Sequence, residues 1–148
     1  MLPADPTLAE IRSFLAPHIA QEAAFDGWGK EAVVNAARAH QVDLDLATLA
    51  FNGDGKRIDA MDLIDAWIGS MDAEMARRLP ADALAKMKIR ERIRQLVECR
   101  IDLLSQNRES LRRALAIEAM PLNAPRALQW GWRSADVMWR LAGDTATD

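Results

Sequence analysis

GKEAVVNAARAHQVDLDLATLAF, residues 29–51, is the stretch on which the fold turns. It holds two short helical patterns separated by a turn of only a few residues. The first runs from about Gly29 to His40, with Val33, Ala36 and Ala37 facing inward. Gln41 and Val42 make the turn. The second covers about Asp43 to Phe51, with Asp43 as its N-cap, since a carboxylate there accepts a free first-turn N–H. An earlier helix should start at Thr7, with Glu10 three residues on in a capping-box pattern. Its Leu8, Ile11, Phe14, Leu15 and Ile19 recur at helical spacing. Pro17 lies inside this pattern and is expected to kink or divide it. FDGW at 25–28 reads as a turn. Three short helices with a tight turn before the last have the proportions of a helix-turn-helix unit.

Downstream, four longer helical patterns follow the NGDG loop at 52–55. They span about Ile58–Leu79, Ala83–Ser105, Arg108–Met120 and Pro125–Leu141. Pro80 and Pro121 end two of them, Pro125 suits a first helical position, and Gly143 suits a C-cap. No segment alternates with period 2, so the fold class is all-α. A three-helix head followed by a helical body is the order of TetR-type regulators. The expected division is a head over 1–55 and a body over 56–148.

Composition sets further bounds. The chain has 148 residues, a one-domain length, and half of them are apolar, enough for a core. Its net charge is −3. Within 26–54 the bases are Lys30 and Arg38, against Asp26, Glu31, Asp43, Asp45 and Asp54. A DNA-reading helix needs Arg, Lys, Asn or Gln among phosphates, and counterion release drives such binding. The helix at 43–51 carries no base, so the head has the shape of a DNA reader without its charge. A TetR-type regulator binding DNA is the rival reading. The bases gather instead over 77–113, where eleven Lys or Arg face five acids. That run reads as a solvated face with pairs such as Arg94–Glu98, or as a contact for anionic headgroups or an acidic partner. Cys99 is the lone cysteine, which fits a reducing compartment. The first residues, MLPADPTLAE, resemble neither a secretory signal nor a mitochondrial presequence. No stretch approaches the ~20 apolar residues that span a bilayer. The expectation is a bacterial, cytoplasmic protein that meets membrane at its surface.

Catalytic constellations are weak. His18 and His40 each lie near a helix C-terminal region and have no ligand at metal-binding spacing. Gly53-Asp54-Gly55-Lys56 lacks the spacing and the following Ser or Thr of a phosphate loop. Asp59, Asp62 and Asp65 partly share a helix face and suggest either a metal-diphosphate grip or a solvated edge, the second being commoner. No catalytic residue, metal site or cofactor is expected.

Three of the five tryptophans fall in WGWRSADVMWRLAGDTATD, residues 130–148. Trp132 and Trp139 are seven apart and share a helix face, whereas Trp130 points elsewhere. This segment closely resembles the D-x-x-W-x-x-A-G-D-x-[ST]-T-D signature of the coenzyme Q (ubiquinone) biosynthesis accessory family, the "coenzyme Q nine" proteins. AFDGWGKEAVVNAA at 24–37, KIRERIRQLVECRID at 88–102 and PLNAPRALQWGWRSAD at 121–136 are similar to other segments of that family, in the same order. Ala146 stands where the family more often has Ser or Thr.

The resemblance implies a TetR-like fold that no longer reads DNA and binds isoprenoid or quinone lipid, or phospholipid, in an apolar pocket of the body. Candidate lining residues are Ile64, Trp67, Ile68, Met71, Ile93, Val97, Leu111, Leu115, Leu128 and Trp132. It further implies a homodimer, peripheral membrane association, no nucleic acid, and presentation of a polyprenyl quinone precursor to a di-iron hydroxylase. Asp136 and Trp139 match the family's partner-binding patch. The family signature continues into a further amphipathic helix. The expectation at Asp148 is that this helix is lacking, which weakens membrane attachment.

Overall fold

The computed structural model describes residues 1–52 and 57–143. The first helix, α1 (Leu8–Asp26), begins as expected. Thr7 Oγ1 accepts the Glu10 N–H at 3.1 Å, and the Glu10 carboxylate accepts the Thr7 N–H at 3.0 Å. Ile11, Leu15, Ile19 and Ala23 lie one above the other and are buried. The helix is continuous through Pro17 and is not divided there. The carbonyl that loses its partner belongs to Ser13, an exposed residue, so water can satisfy it. Gly27 ends α1 in the left-handed region at φ +80°, where glycine carries no side-chain penalty.

α2 (Lys30–Ala39) and α3 (Leu44–Asn52) flank the expected tight turn. Val42 N–H bonds to Ala37 O at 2.9 Å and Gln41 N–H to Arg38 O at 3.3 Å, which is a Schellman closure. Gln41 supplies its left-handed residue at φ +57°. Asp43 Oδ1 accepts the Leu46 N–H at 3.0 Å and caps α3. The outward side of α3 presents Leu44, Leu46 and Leu49.

α4 (Ala60–Arg78) starts at Asp59, whose Oδ1 accepts the Met61 N–H at 3.1 Å. It buries Met61, Leu63, Ile64, Trp67, Met71 and Met75. The single helix expected over 83–105 is two, α5 (Ala81–Ala85) and α6 (Ile89–Ser105). Lys88 between them is extended. Arg92 holds the break, donating to Met87 O at 2.8 Å and Ala85 O at 3.4 Å. Arg92 also donates to Ala142 O at 2.8 Å, so one guanidinium ties this break to the end of the last helix. α7 (Arg108–Glu118) and α8 (Ala124–Leu141) complete the described chain. Gly143 follows α8 at φ +85°, a backbone conformation that strains any residue with a side chain.

All the regular structure among the described residues is helical. The arrangement is the all-α, TetR-like one. α1 packs most extensively on α2 and α4, then on α3 and α7. Arg12 of α1 forks onto the Asp62 carboxylate of α4, both bonds at 2.7 Å. α4 in turn packs against α6, α7 and α8. The expected loop residues 53–55 and the expected boundary after Gly55 lie outside the described residues.

Candidate functional site

Two helix faces meet across a gap in the body. On α4, Ile64, Trp67, Ile68 and Met71 follow helical spacing. On α8, Ala127, Trp130, Gly131, Ser134 and Met138 do the same. Ala127 and Gly131 are too small to fill the gap, and a Cβ added at Gly131 would meet nothing within 4 Å. Leu111, Ala114 and Glu118 of α7, with Arg100 and Leu104 of α6, close the remaining sides. The result is a cavity of about 280 Å³ with mainly apolar walls. Leu104 and Leu111 also wall a shallow apolar groove of about 380 Å³ that adds Ile101 and Leu115.

The walls are anchored from outside. The Trp67 ring lies 5.4 Å from the Trp28 ring, centroid to centroid. Trp28 Nε1 donates to Ser110 O of α7 at 3.0 Å, and Ser110 Oγ donates to Ala20 O of α1. The Arg126 guanidinium lies over the Trp130 ring at 5.5 Å. One charged group reaches inside. Arg100 is 8% exposed, and its Nη2 donates to the Asp72 carboxylate of α4 and, at 3.0 Å, to Ser134 Oγ of α8. Its Nη1 is buried and finds no hydrogen-bond partner among the described residues. Glu118 is half-buried at the cavity wall, and burial pushes its carboxyl above the usual carboxylate range.

Of the lining residues expected from sequence, Ile64, Trp67, Ile68, Met71 and Leu111 come together here. Ile93 is half-buried and packs against the core away from the cavity wall. Val97 is exposed on α6, and Leu115 lies in the shallow groove. Leu128 and Trp132 stand on the outer face of α8, Trp132 at 78% exposure. Trp139 shares that outer face at 47%, and Asp136 pairs with Arg140 at 2.9 Å. Trp130 is buried on the opposite face, as its spacing required. Sequence reasoning missed Arg100, Ser134, Trp130 and Met138. The i, i+4, i+8 spacing of Trp130, Ser134 and Met138 was the available signal.

The three α4 aspartates do not form a cluster. Asp59 pairs with Arg126 at 3.2 Å, Asp62 with Arg12, and Asp65 with Arg133. Each holds a separate arginine from another helix. His40 caps the C-terminus of α2 as expected, whereas His18 differs from expectation. Because α1 is undivided, His18 lies within the helix and not near its end. Its ring stacks on His40 at 3.7 Å. Burial first, and the His40 charge second, push its pKa below 6.5.

No family model matches the chain. It is 30% identical over 129 residues to "Ubiquinone biosynthesis protein COQ9, mitochondrial" of Homo sapiens, a match that takes in 82% of this chain. The protein of the same name from Rattus norvegicus is 28% identical over 124 residues. The chain spans 39% of the length of each of these relatives. Together with the D-x-x-W segment on α8 and the all-helical arrangement, this similarity supports a COQ9-like ubiquinone biosynthesis family for the chain.

Proposed function

We propose that the chain is a non-catalytic, lipid-binding accessory protein of ubiquinone biosynthesis. The observation that carries this reading is the apolar cavity bounded by α4, α6, α7 and α8. Its volume is near the lower end for small-molecule sites, so it takes one end of a long-chain lipid and not the whole. The shallow groove beyond Leu104 and Leu111 offers a path for the remainder. Each CH₂ buried there contributes about 0.8 kcal/mol, so several isoprene units give firm retention. The ligand proposed is an isoprenoid quinone precursor, and the role is to present it to a di-iron hydroxylase.

The outer face of α8, with Asp136 and Trp139, is the proposed contact for that partner. Leu128 and Trp132 extend the same face as an apolar surface for the membrane interface or a second copy of the chain. No helix among the described residues is long and apolar enough to cross a membrane, which is compatible with a peripheral association. The proposed head, 1–55, supports the body and does not read DNA. Its α3 carries Asp45, has no base, and turns leucines outward.

Organic extraction and mass spectrometry of the purified protein test the central claim. Co-purifying isoprenoid or phospholipid is the expected result. A protein that yields no lipid, and takes up none from vesicles carrying prenylated quinone, is not a lipid carrier.

A further inference from the structure

Three of the nine residues of α3 are exposed leucines, Leu44, Leu46 and Leu49. Ala47 and Phe51 are its buried residues, and the helix packs on α1 and α2. Leu46 and Leu49 adjoin at i, i+3, and Asp45 lies one turn before Leu49. Asp43 and Asp45 are exposed beside them, and α3 carries no base. A contiguous apolar patch rimmed by charge marks an interaction surface. The two carboxylates repel an anionic bilayer, so the patch suits a protein with bases of its own. α6 presents such a surface. Ile89, Ile93, Val97 and Ile101 follow one another at i, i+4 spacing, all exposed except half-buried Ile93. Lys86, Lys88 and Arg90 are exposed at the start of that row. Neither the two aspartates nor these three bases form an ion pair among the described residues. Arg94, farther along α6, is already held by Glu91 and Glu98.

We infer that the exposed face of α3 docks on the Ile89–Ile101 row of α6 in a second copy of the chain, with Asp43 and Asp45 against Lys88 and Arg90. Both faces are left over after packing within the chain, since α3 is held by α1 and α2, and α6 by α4, α7 and α8. In each helix the charges stand at the N-terminal end, and apolar residues follow within about one turn, about 5 Å. Two such helices lying side by side and running the same way bring charge to charge and apolar row to apolar row together. The i, i+4 row of α6 forms a ridge of the kind that seats between the side chains of a neighbouring helix. The contact joins unlike surfaces, so it closes where a two-fold axis makes it twice and otherwise extends to further copies. One helix on one helix is less than a standard interface, so the association is weak and sensitive to salt. It is separate from the outer face of α8 and does not depend on the lipid-binding reading.

Sedimentation velocity of the full chain over a concentration series reads the contact. Self-association is expected in about 20 mM salt and should weaken at least tenfold in about 500 mM, where the charges are screened over a few ångströms. Asp45→Lys alters the head and spares the Asp43 cap. Lys88→Glu with Arg90→Glu alters the body, and acids suit the first turn of a helix. Each variant is expected to keep native helicity by circular dichroism and to self-associate at least tenfold more weakly. Leu49→Gln tests the apolar row without touching charge, and should weaken association at both salt concentrations. Mixing the two charge variants is decisive, because each keeps the face that the other has lost. The equimolar mixture is expected to associate at least tenfold more tightly than either variant alone. A contact between identical faces, or one elsewhere on the molecule, gives no such recovery. A chain that stays monomeric throughout the low-salt series overturns the inference. So do folded variants that associate as the unaltered chain does, and a mixture that associates no better than its components.

Discussion

His18 is the residue whose environment most clearly links packing to solution conditions. Its ring stacks on His40 at 3.7 Å and meets the Phe14 ring, tilted, at 5.3 Å. Burial is the larger cause of its lowered pKa, and the His40 charge adds to it. A histidine whose folded pKa is depressed binds protons more readily in the unfolded chain. Its neutral form is therefore compatible with full stability above about 6.5, and stability falls as pH drops below that value toward the folded pKa. Denaturant midpoints measured from pH 7.5 to 5.5 should decline, and the decline should be shallower in His18→Gln. An identical slope in the variant would show that His18 does not carry the dependence. At the same scale, Arg100 shows why single residues escape a sequence reading. It stands in a run of bases over 77–113 that looks like one solvated face, and only its pairing with Asp72, 28 positions away, explains its burial.

α8 is the element on which both proposed activities meet, because it has two apolar faces. Ala127, Trp130, Gly131, Ser134 and Met138 look into the cavity, while Leu128, Trp132 and Trp139 look out. Both rows have helical periodicity, so spacing alone cannot say which faces inward. That ambiguity puts Leu128 and Trp132 among the lining residues expected from sequence and leaves Trp130 out. The α4 face had no such rival, and Ile64, Trp67, Ile68 and Met71 were legible together. Gly131 separates the two faces experimentally. Gly131→Ala meets no neighbour within 4 Å and should stabilise the protein by roughly 0.5–1 kcal/mol through helix propensity. Gly131→Leu extends into the cavity and should reduce prenyl-quinone binding at least tenfold without lowering the thermal midpoint. On the outer face, Trp139→Ala removes a half-exposed ring. The expected result is native helicity with hydroxylase binding weakened at least tenfold, as for an interface anchor. Unfolding of that variant would instead assign Trp139 to the core.

For the whole molecule, the order of helices was legible because caps and breakers announce them. The Thr7–Glu10 box, Asp43, Pro80, Pro121 and Gly143 each mark a boundary that the structure keeps. What escaped was set by distant partners. Pro17 leaves α1 whole because its cost falls on exposed Ser13 and the buried face of the helix is packed along its full length. The break at 86–88 occurs in residues that favour helix, and it is held by Arg92 from α6 and the chain end after α8. One further consequence follows from the Trp28–Trp67 contact. Two indoles with centroids 5.4 Å apart are close enough for their electronic transitions to couple. One belongs to the turn leading into α2 and the other forms a wall of the cavity. The protein therefore contains an intrinsic optical gauge, in which circular dichroism from the indole pair registers at the head any shift of the wall that accompanies filling of the body.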